Sequence, residues 1–338
     1  MATKRKGKQT VMLETPVGIF SSACIVGPKE GQGPLRHYFD EIIDDEMWGE
    51  KSWEKAESKL IRETFSKVLS KAGKSAQEIN YVVAGDLLDQ CIAANFGLRE
   101  SGVPLFGVYG ACSTMAESMG IGALLIDGGF ADNVISMTSS HFCSAEKQFR
   151  FPLELGSQRS PTAQWTVTGS GAVLLSNQIE GPLIKYVTTG KIVDMGIKDA
   201  NNMGAAMAPA AVDTILTHFK DTGTTQNDYD LIVTGDLGGL GKSICEEMLR
   251  EKGYDLTDKY NDCGVMIYDQ KKQDAHAGGS GCGCSATVLS GFILQEMNKR
   301  TLNNVLFVAT GALLSAVSSH QGESIPSIAH AVSLHNKQ

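Results

Sequence analysis

Apolar and polar positions alternate along this chain of 338 residues in a way that predicts strands and helices in regular succession. Short runs rich in β-branched residues predict buried strands, and longer stretches with apolar residues three or four positions apart predict helices. The predicted strands are 10–19, 79–84, 103–108, 133–139, 165–176, 183–193, 231–234, 304–310 and 325–334. The predicted helices are 52–71, 89–99, 113–127, 205–220, 240–252 and 285–299. Residues 144–161 show neither period and predict an irregular segment. This alternation is typical of mostly parallel sheets with helices on their faces.

An internal repeat indicates that the chain has two halves. A strand that ends in Gly-Asp-Leu occurs twice, and so do a Cys-Ser pair that opens a helix and an Asn-Val start of a strand. The matching segments are 81–87 and 231–237, 112–113 and 284–285, and 133–135 and 304–306. Since their order is preserved, we predict a duplicated α/β chain with halves 1–178 and 179–338. Packed face to face, two such halves bring the carboxyl ends of their strands into one crevice.

Cys112 stands where a predicted strand turns into a predicted helix, in residues 110–114 (GACST). The free N–H groups at a helix start favour a thiolate and a nearby anion. The preceding glycine lets the backbone turn sharply. Three interpretations stay open at this point: a pocket residue, a nucleophile, and a small buried apolar residue of the kind that free cysteines commonly are.

Charge and cysteine content exclude several classes of protein. The net charge of −8 argues against a general nucleic-acid-binding protein. The eight cysteines, with no secretory signal before them, are typical of a reducing cytoplasm. The basic start, residues 4–8 (KRKGK), has no apolar stretch behind it and predicts a solvated tail. We therefore expect a cytoplasmic protein that binds no nucleic acid.

Several polar residues have a structural as well as a functional interpretation. Asp86 either lines the crevice or caps the following helix, and its counterpart Asp236 favours a structural role common to both. Cys282 and Cys284 are spaced Cys-x-Cys between glycine and serine, which favours packing over zinc binding. The acidic residues 44–46 favour a solvated surface. We expect no metal and no cofactor.

Nearly the whole chain resembles the thiolase superfamily. The resemblance is carried by residues 110–113 (GACS), by 169–172 (GSGA), and by His276 followed by 278–281 (GGSG). It implies a five-layer α-β-α-β-α sandwich that forms a homodimer. It also implies Cys112 as nucleophile and His276 as its base if the chain is an enzyme; the alternative for His276 is a solvated loop histidine.

The chain departs from a working condensing enzyme at three places. Thr234 and Gly235 stand where the ketoacyl synthases carry a histidine, and no asparagine occurs in 278–280. No second cysteine stands near 311–312, where thiolases have one. A condensation needs a nucleophile, a base and groups that hold the enolate. The departures favour a binding protein and leave an acyltransferase open.

A narrower resemblance is carried by longer stretches. Residues 25–35 (IVGPKEGQGPL), 38–40 (YFD), 52–57 (SWEKAE) and 110–117 (GACSTMAE) are similar to those of the stage V sporulation protein AD family of endospore-forming bacteria. This resemblance implies a protein that binds dipicolinic acid, free or as its calcium chelate. It further implies that the protein works with other SpoVA proteins, beside the forespore or spore inner membrane, to load that acid into the spore.

A dicarboxylate ligand needs positive charge or N–H donors around it. The helix start at Cys112 supplies some donors, and Arg150, Arg159 and His141 are candidates for more, with plain surface charges as the alternative. The predicted ligand-binding residues are Cys112, Asp86, His141, Arg159 and His276. Three hypotheses follow: a dipicolinate-binding protein, an acyltransferase that uses Cys112, and a structural subunit whose crevice has lost its function.

Overall fold

The elements of the fold follow the predicted succession closely. The computed structural model describes residues 3–149 and 159–337. Its strands are β1 (Thr10–Val26), β2 (Glu41–Ile42), β3 (Tyr81–Gly85), β4 (Leu105–Gly107), β5 (Asn133–Ser140), β6 (Trp165–Thr166), β7 (Gly169–Ser176), β8 (Leu183–Thr188), β9 (Leu231–Thr234), β10 (Tyr260–Asp262), β11 (Gly279–Ser280), β12 (Asn304–Ala312) and β13 (Ser327–His335). Its α-helices are α1 (Trp53–Ala72), α2 (Ile92–Leu98), α3 (Thr114–Asp127), α4 (Phe142–Phe149), α5 (Met203–Thr222), α6 (Gly238–Glu251), α7 (Cys263–Ile267), α8 (Cys282–Val288), α9 (Leu294–Asn298) and α10 (Ala316–His320).

The main sheet has the same strand order on both sides of its middle. One side runs β4-β3-β5-β7-β1 and the other β10-β9-β12-β13-β8, and β1 pairs with β8 where they meet. The directions also agree: β3 is parallel to β4 and β5, and β9 is parallel to β10 and β12. This symmetry agrees with a duplication, whereas the boundary between 178 and 179 stays a prediction.

Helices form three layers around the two parts of the sheet. Helix α1 packs on β1, β7 and β5, and α5 packs on β13 and β12 from the opposite outer side. Helix α3 lies between the two parts and contacts β3 and β5 on one side and β12 and β13 on the other, with α8 beside it. The predicted five-layer sandwich is therefore confirmed. Small residues make the close central packing possible; a side chain at Gly122 would begin only 2.9 Å from Ser136 Oγ.

Several local predictions differ from the structure; among them, the predicted strand 183–193 ends at Thr188, and the predicted strand 165–176 is divided into β6 and β7. Strand β1 continues past Pro16 to Val26, and it accommodates the proline by a shift in its pairing with β8 between Met12 and Val17. Residues 144–149 are helical rather than irregular, because they belong to α4, whose inner face is buried. The predicted helix 285–299 begins earlier, at Cys282, and is interrupted by a π-helical turn over Leu289–Ile293.

Candidate functional site

The turn at Cys112 has a strained backbone. Cys112 lies in the short 3₁₀ turn Ala111–Ser113 that leads into α3, and Ala111 adopts a φ of +50°, in the left-handed region that a residue with a Cβ enters at a cost. Ser113 Oγ donates a hydrogen bond of 2.6 Å to the carbonyl of Gly110 and holds the turn closed. Gly311 of β12 lies directly against this carbonyl; an added Cβ would sit 2.3 Å from its oxygen. The end of β4, which precedes the turn, and the end of β12, which lies against it, therefore fix the position of the thiol.

The residue beside the Cys112 thiol is Asp236, which is fully buried at the end of β9. Its carboxylate is close enough to the thiol to raise the pKa of Cys112. It also accepts hydrogen bonds from the N–H of Gly281 at 2.8 Å and from the hydroxyls of Ser280 at 3.2 Å and Thr310 at 2.9 Å. Burial raises the pKa of Asp236 to about 6, while these donors favour its charged form. At neutral pH the thiol therefore faces a carboxylate.

Electrostatics at this position disfavours a thiolate. Burial and the nearby Asp236 carboxylate raise the pKa of Cys112 well above its usual value. A reactive cysteine normally has a cationic partner that lowers its pKa. Among the described residues that line the cavity at Cys112, none is a lysine, an arginine or a histidine. Cys112 is therefore an uncharged thiol at neutral pH.

The thiol lies at the inner end of a cleft with two connected parts. The inner part, of about 50 Å³, is lined by Leu87, Tyr109, Ala111, Cys112, Ala145, Glu146, Phe149, Thr166, Met203, Ser280, Ala312 and Leu314. The outer part, of about 360 Å³, is lined by Asp89, Gln90, Tyr109, Gln148, Phe149, Leu314, Ser315, Ala316 and Val317. The inner part has room for a small group only, whereas the outer part has room for an aromatic ring.

Both parts of the cleft share Tyr109 and Phe149, and both are free of basic side chains among the described residues. The Tyr109 hydroxyl donates to the carbonyl of Leu87 at 2.8 Å, which fixes the phenol ring. Gln148 of α4 and Asp89 form a reciprocal pair across the mouth, with bonds of 3.0 and 3.2 Å. The cleft thus offers aromatic faces, amides and carboxylates to a ligand.

Asp86 has a structural role. Its two carboxylate oxygens accept the N–H groups of Leu88 and Ala94, each at 2.8 Å, and so hold the turn before α2 and the first turn of that helix. Burial raises its pKa to about 6. Asp86 is absent from the described cleft lining. Of the two interpretations of Asp86, capping is the one that this geometry supports.

Asp236 does not repeat the helix-capping contacts of Asp86, although the sequence favoured a structural role common to both. In the second half the N–H groups of Leu237 and Gly238 bond at 2.8 and 2.9 Å to Asp262 of the neighbouring strand β10, and Gly238 is the counterpart of Leu88. Because Asp262 accepts these backbone N–H groups, the carboxylate of Asp236 is available to the thiol. The sequence analysis therefore did not place Asp236 in the site, although the repeated Gly-Asp-Leu tripeptide singled this residue out.

His141 lies in a separate buried cluster. Its Nε2 donates to the carbonyl of Glu46 at 2.7 Å, and its Nδ1 accepts the N–H of Cys143 at 3.2 Å. Burial lowers its pKa. The side chains of Glu46, His141 and Cys143 lie within 4.8 Å of one another, a spacing compatible with a metal. Because both ring nitrogens already have protein partners, this cluster is a hydrogen-bonded anchor for the loop that carries Glu46.

Arg159 lies over Trp165 rather than in the cleft. Its guanidinium is 4.7 Å from the centre of the indole ring, and it also donates to the carbonyl of Gln164. Lys29 approaches the same ring at 3.4 Å, and burial together with Arg159 lowers the pKa of this lysine. Phe142 stacks on the indole at 3.9 Å. Trp165 is absent from the described cleft lining, so this cationic group lies outside the cleft; Arg150 is outside the described residues.

His276 lies in the loop before β11, where its Nε2 is 3.0 Å from a carboxylate oxygen of exposed Asp274. Its φ of +49° is in the left-handed region. It is absent from the described lining of both parts of the cleft. The structure therefore brings Asp236, and not His276, to the Cys112 thiol.

Comparisons with known proteins agree on the family and on the fold. Residues 7–335 match the family model described as Stage V sporulation protein AD (SpoVAD). A curated protein named Stage V sporulation protein AD, from Bacillus subtilis (strain 168), is 46% identical over 329 residues, which cover 97% of each chain.

The similar solved structures include condensing enzymes and a thiolase. 3-Oxoacyl-[acyl-carrier-protein] synthase III from Aquifex aeolicus VF5 has a TM-score of 0.56 at 12% identity and covers 95% of this chain and 100% of its own. Human mitochondrial 3-ketoacyl-CoA thiolase has a TM-score of 0.59 at 13% identity, with 97% and 99% covered. A variant of OleA from Xanthomonas campestris has a TM-score of 0.60 at 14% identity, with 95% and 99% covered. At these identities the likeness shows the thiolase-type fold alone.

Proposed function

Because the chain belongs to the stage V sporulation protein AD family, we propose that it binds dipicolinic acid in the cleft that leads to Cys112. In this role it serves the uptake of that acid into the developing spore, together with other SpoVA proteins. The family membership carries the role in sporulation. The ligand and the cleft are our proposal.

The observation that supports binding over catalysis is the pairing of Cys112 with Asp236. A nucleophilic cysteine needs a base and a low pKa, whereas this thiol is buried against a carboxylate that raises its pKa. The two strand ends and the strained Ala111 still hold the turn rigidly. A rigid, unreactive cleft wall is what a binding protein requires.

The outer part of the cleft suits a flat aromatic dicarboxylic acid. Tyr109 and Phe149 line it with aromatic rings, and Gln90, Gln148 and Ser315 line it with amide and hydroxyl groups. Asp89 and Glu146 add carboxylates, and the described lining holds no basic residue. A free dianion would be repelled by this lining, so it favours the calcium chelate, whose metal neutralises both carboxylates.

Calorimetric titration tests this proposal. We expect saturable binding of one dipicolinate per chain in the presence of calcium, and weaker binding when calcium is chelated away. Benzoate and benzene-1,3-dicarboxylate, which lacks the ring nitrogen, should not compete. Phe149→Ala should weaken binding about tenfold, since it removes an aromatic contact and buried area.

The matched control is Phe130→Ala. Phe130 is 71% exposed and lies outside the cleft, so this variant should bind as the wild type does. Absence of heat with both the free acid and the chelate would reject the proposal. Equal loss of affinity in both variants would place the ligand elsewhere.

Acyl transfer is the second candidate, favoured by the fold shared with condensing enzymes and a thiolase. Its signature is a thioester on Cys112 after incubation with an acyl-CoA, detected by mass spectrometry and missing from Cys112→Ser. A chain that neither binds dipicolinate nor forms a thioester, yet holds its partner proteins, would instead be a structural subunit.

We further propose that the chain forms a homodimer through strand β4. This strand pairs only with β3 in the described sheet, so its other edge is open. Phe106 on β4 is 45% exposed, and Phe96 on α2, a helix that contacts the neighbouring strand β3, is 53% exposed. The same strand from a second copy would complete both the pairing and the apolar contact.

Phe106→Asp is expected to convert the dimer into a monomer in light scattering coupled to size-exclusion chromatography. The added charge would be buried at the centre of the interface. Ile192→Asp, at a 63% exposed position in the other half, is the control and should stay dimeric. A wild-type monomer at micromolar concentration, or a dimer in both variants, contradicts this assignment.

We also propose that partner proteins hold this chain at a membrane. Within the described residues, no helix is both long enough and apolar enough to cross a membrane. We therefore expect the other SpoVA proteins to recruit this chain to the forespore or spore inner membrane.

A further inference from the structure

A second cleft, of about 370 Å³, lies at the start of β12. Asn304, the first residue of this strand, lines the second cleft, whereas Ala312, its last residue, lines the cleft of Cys112. Eight residue steps of extended strand separate the two clefts by roughly 26 Å. The second cleft therefore has its own ligand chemistry, independent of the proposed dipicolinate site.

Three basic side chains surround the second cleft: Lys185, Arg300 and Lys337. Among the described residues that line it, none is acidic, although the whole chain carries a net charge of −8. Arg300 Nη1 donates to the carbonyl of Lys337 at 2.6 Å, and Lys337 Nζ donates to the carbonyl of Ile179 at 2.6 Å. The bond to the Lys337 carbonyl fixes the guanidinium of Arg300 at the rim of the cleft.

Amides and a histidine complete the wall of the second cleft. Asn336 is anchored by bonds from its Nδ2 to the carbonyls of Met297 and Leu302, at 2.7 and 3.0 Å. Asp230, on the β9 side, accepts the backbone N–H groups of Asn303 and Asn304 at 2.7 and 2.9 Å. This carboxylate is thus already engaged by the backbone and fixes the segment that carries both asparagines.

His335 is the unusual member of this wall. Its Nδ1 bonds to Asn304 Oδ1 at 2.8 Å, which places the proton on Nδ1. Its Nε2 is buried and has no hydrogen-bond partner among the described residues. Because Nε2 is shielded from solvent, a ligand in the open cleft does not reach it. His335 therefore contributes to the wall by holding the side chain of Asn304 in place.

We propose that the second cleft binds a phosphate group. A hydrogen phosphate or a phosphate ester carries the negative oxygens that Arg300, Lys185 and Lys337 attract, and the planar guanidinium matches two of those oxygens. The group comes either from free phosphate or from the headgroup of an anionic phospholipid.

The test compares the two sources on the full chain. Inorganic phosphate is titrated at low ionic strength and followed by calorimetry. In parallel, sedimentation is measured with vesicles of phosphatidylglycerol and of phosphatidylcholine. We expect saturable phosphate binding that Arg300→Ala weakens about tenfold or more, since a charge-assisted hydrogen bond is lost. Lys185→Ala should weaken it less, because this lysine is a mobile point charge.

Arg250→Ala is the matched control, because Arg250 is an exposed arginine of α6 that does not line this cleft and is paired with Glu247. Sedimentation with phosphatidylglycerol alone, lost in Arg300→Ala and kept in Arg250→Ala, would identify the lipid headgroup as the source. Phosphate binding without vesicle binding would identify the free anion. No binding of either, or an equal loss in Arg250→Ala, overturns the proposal. Dipicolinate binding should be unchanged in all these variants, which separates this inference from the proposed function.

Discussion

Gly311→Ala is expected to lower the free energy of unfolding by about 3 kcal/mol, at the upper end of the cost of overpacking. The added Cβ would lie 2.3 Å from the carbonyl oxygen of Gly110 and 3.1 Å from the backbone nitrogen of Ser113. Because both contacts are backbone atoms of the Cys112 turn, no side chain can rotate away to relieve them. Either β12 or the turn must shift, and the thiol with it.

Urea unfolding followed by circular dichroism measures this loss. Gly107→Ala is the control, since a Cβ added at Gly107 would have no atom within 4 Å and the φ of this glycine is not positive. We expect the control to differ from the wild type by less than about 0.5 kcal/mol. Dipicolinate binding should fall in Gly311→Ala and stay in Gly107→Ala. Equal stability of the two variants would mean that β12 does not press on the turn.

The sequence carries enough information for the fold because the periodicity, the repeat and the Cys112 turn depend on local residues. Residues 81–87 and 231–237 predicted equivalent strands, and β3 and β9 occupy equivalent places in the two parts of the sheet. The helix after Cys112 follows from its small residues. Such features depend on the chain near each position, so they can be recognised without its distant neighbours.

The composition of the site depends on distant neighbours and could not be predicted in the same way. Asp86 and Asp236 stand in the same tripeptide, yet one caps a helix and the other faces a thiol. The difference comes from Asp262, which lies on a separate strand and accepts the N–H of Gly238, the counterpart of the Leu88 N–H that Asp86 accepts. No local sequence pattern indicates that Asp262, and not Asp236, accepts this backbone N–H group.

The expected source of positive charge illustrates the same limit. Arg159 and His141 come from the segment between matched strands, and charge alone made them candidates for a dicarboxylate site. Arg159 instead lies over Trp165, and His141 anchors the loop of Glu46. Both side chains therefore use their charge or hydrogen-bond donors in packing contacts outside the cleft. The described wall of the cleft is aromatic and acidic, and it favours a ligand whose negative charge is neutralised.

Asp236→Asn is expected to speed the alkylation of Cys112 by iodoacetamide at pH 8 about tenfold. The carboxylate next to the thiol opposes the thiolate, so its removal lowers the pKa of Cys112. Each unit by which the pKa falls raises the thiolate fraction about tenfold while the pKa stays above the working pH. Asparagine keeps the volume of the side chain and an acceptor for Gly281, so the cleft should keep its shape. Mass spectrometry of the peptide that contains Cys112 gives the rate separately from those of the other cysteines.

Asp86→Asn is the matched control, because this aspartate stands in the same Gly-Asp-Leu tripeptide and contacts backbone N–H groups rather than the thiol. Its alkylation rate should equal that of the wild type. An equal increase in both variants would indicate that loosening of the fold, and not charge, exposes the thiol. An unchanged rate in Asp236→Asn would remove the electrostatic reason for an unreactive cysteine. In that case the acyltransferase hypothesis would be open again. A thioester that forms on Cys112 of the wild type but not of Asp236→Asn would identify Asp236 as the base of that reaction. No thioester in either protein would mean that the acyl-transfer function is lost.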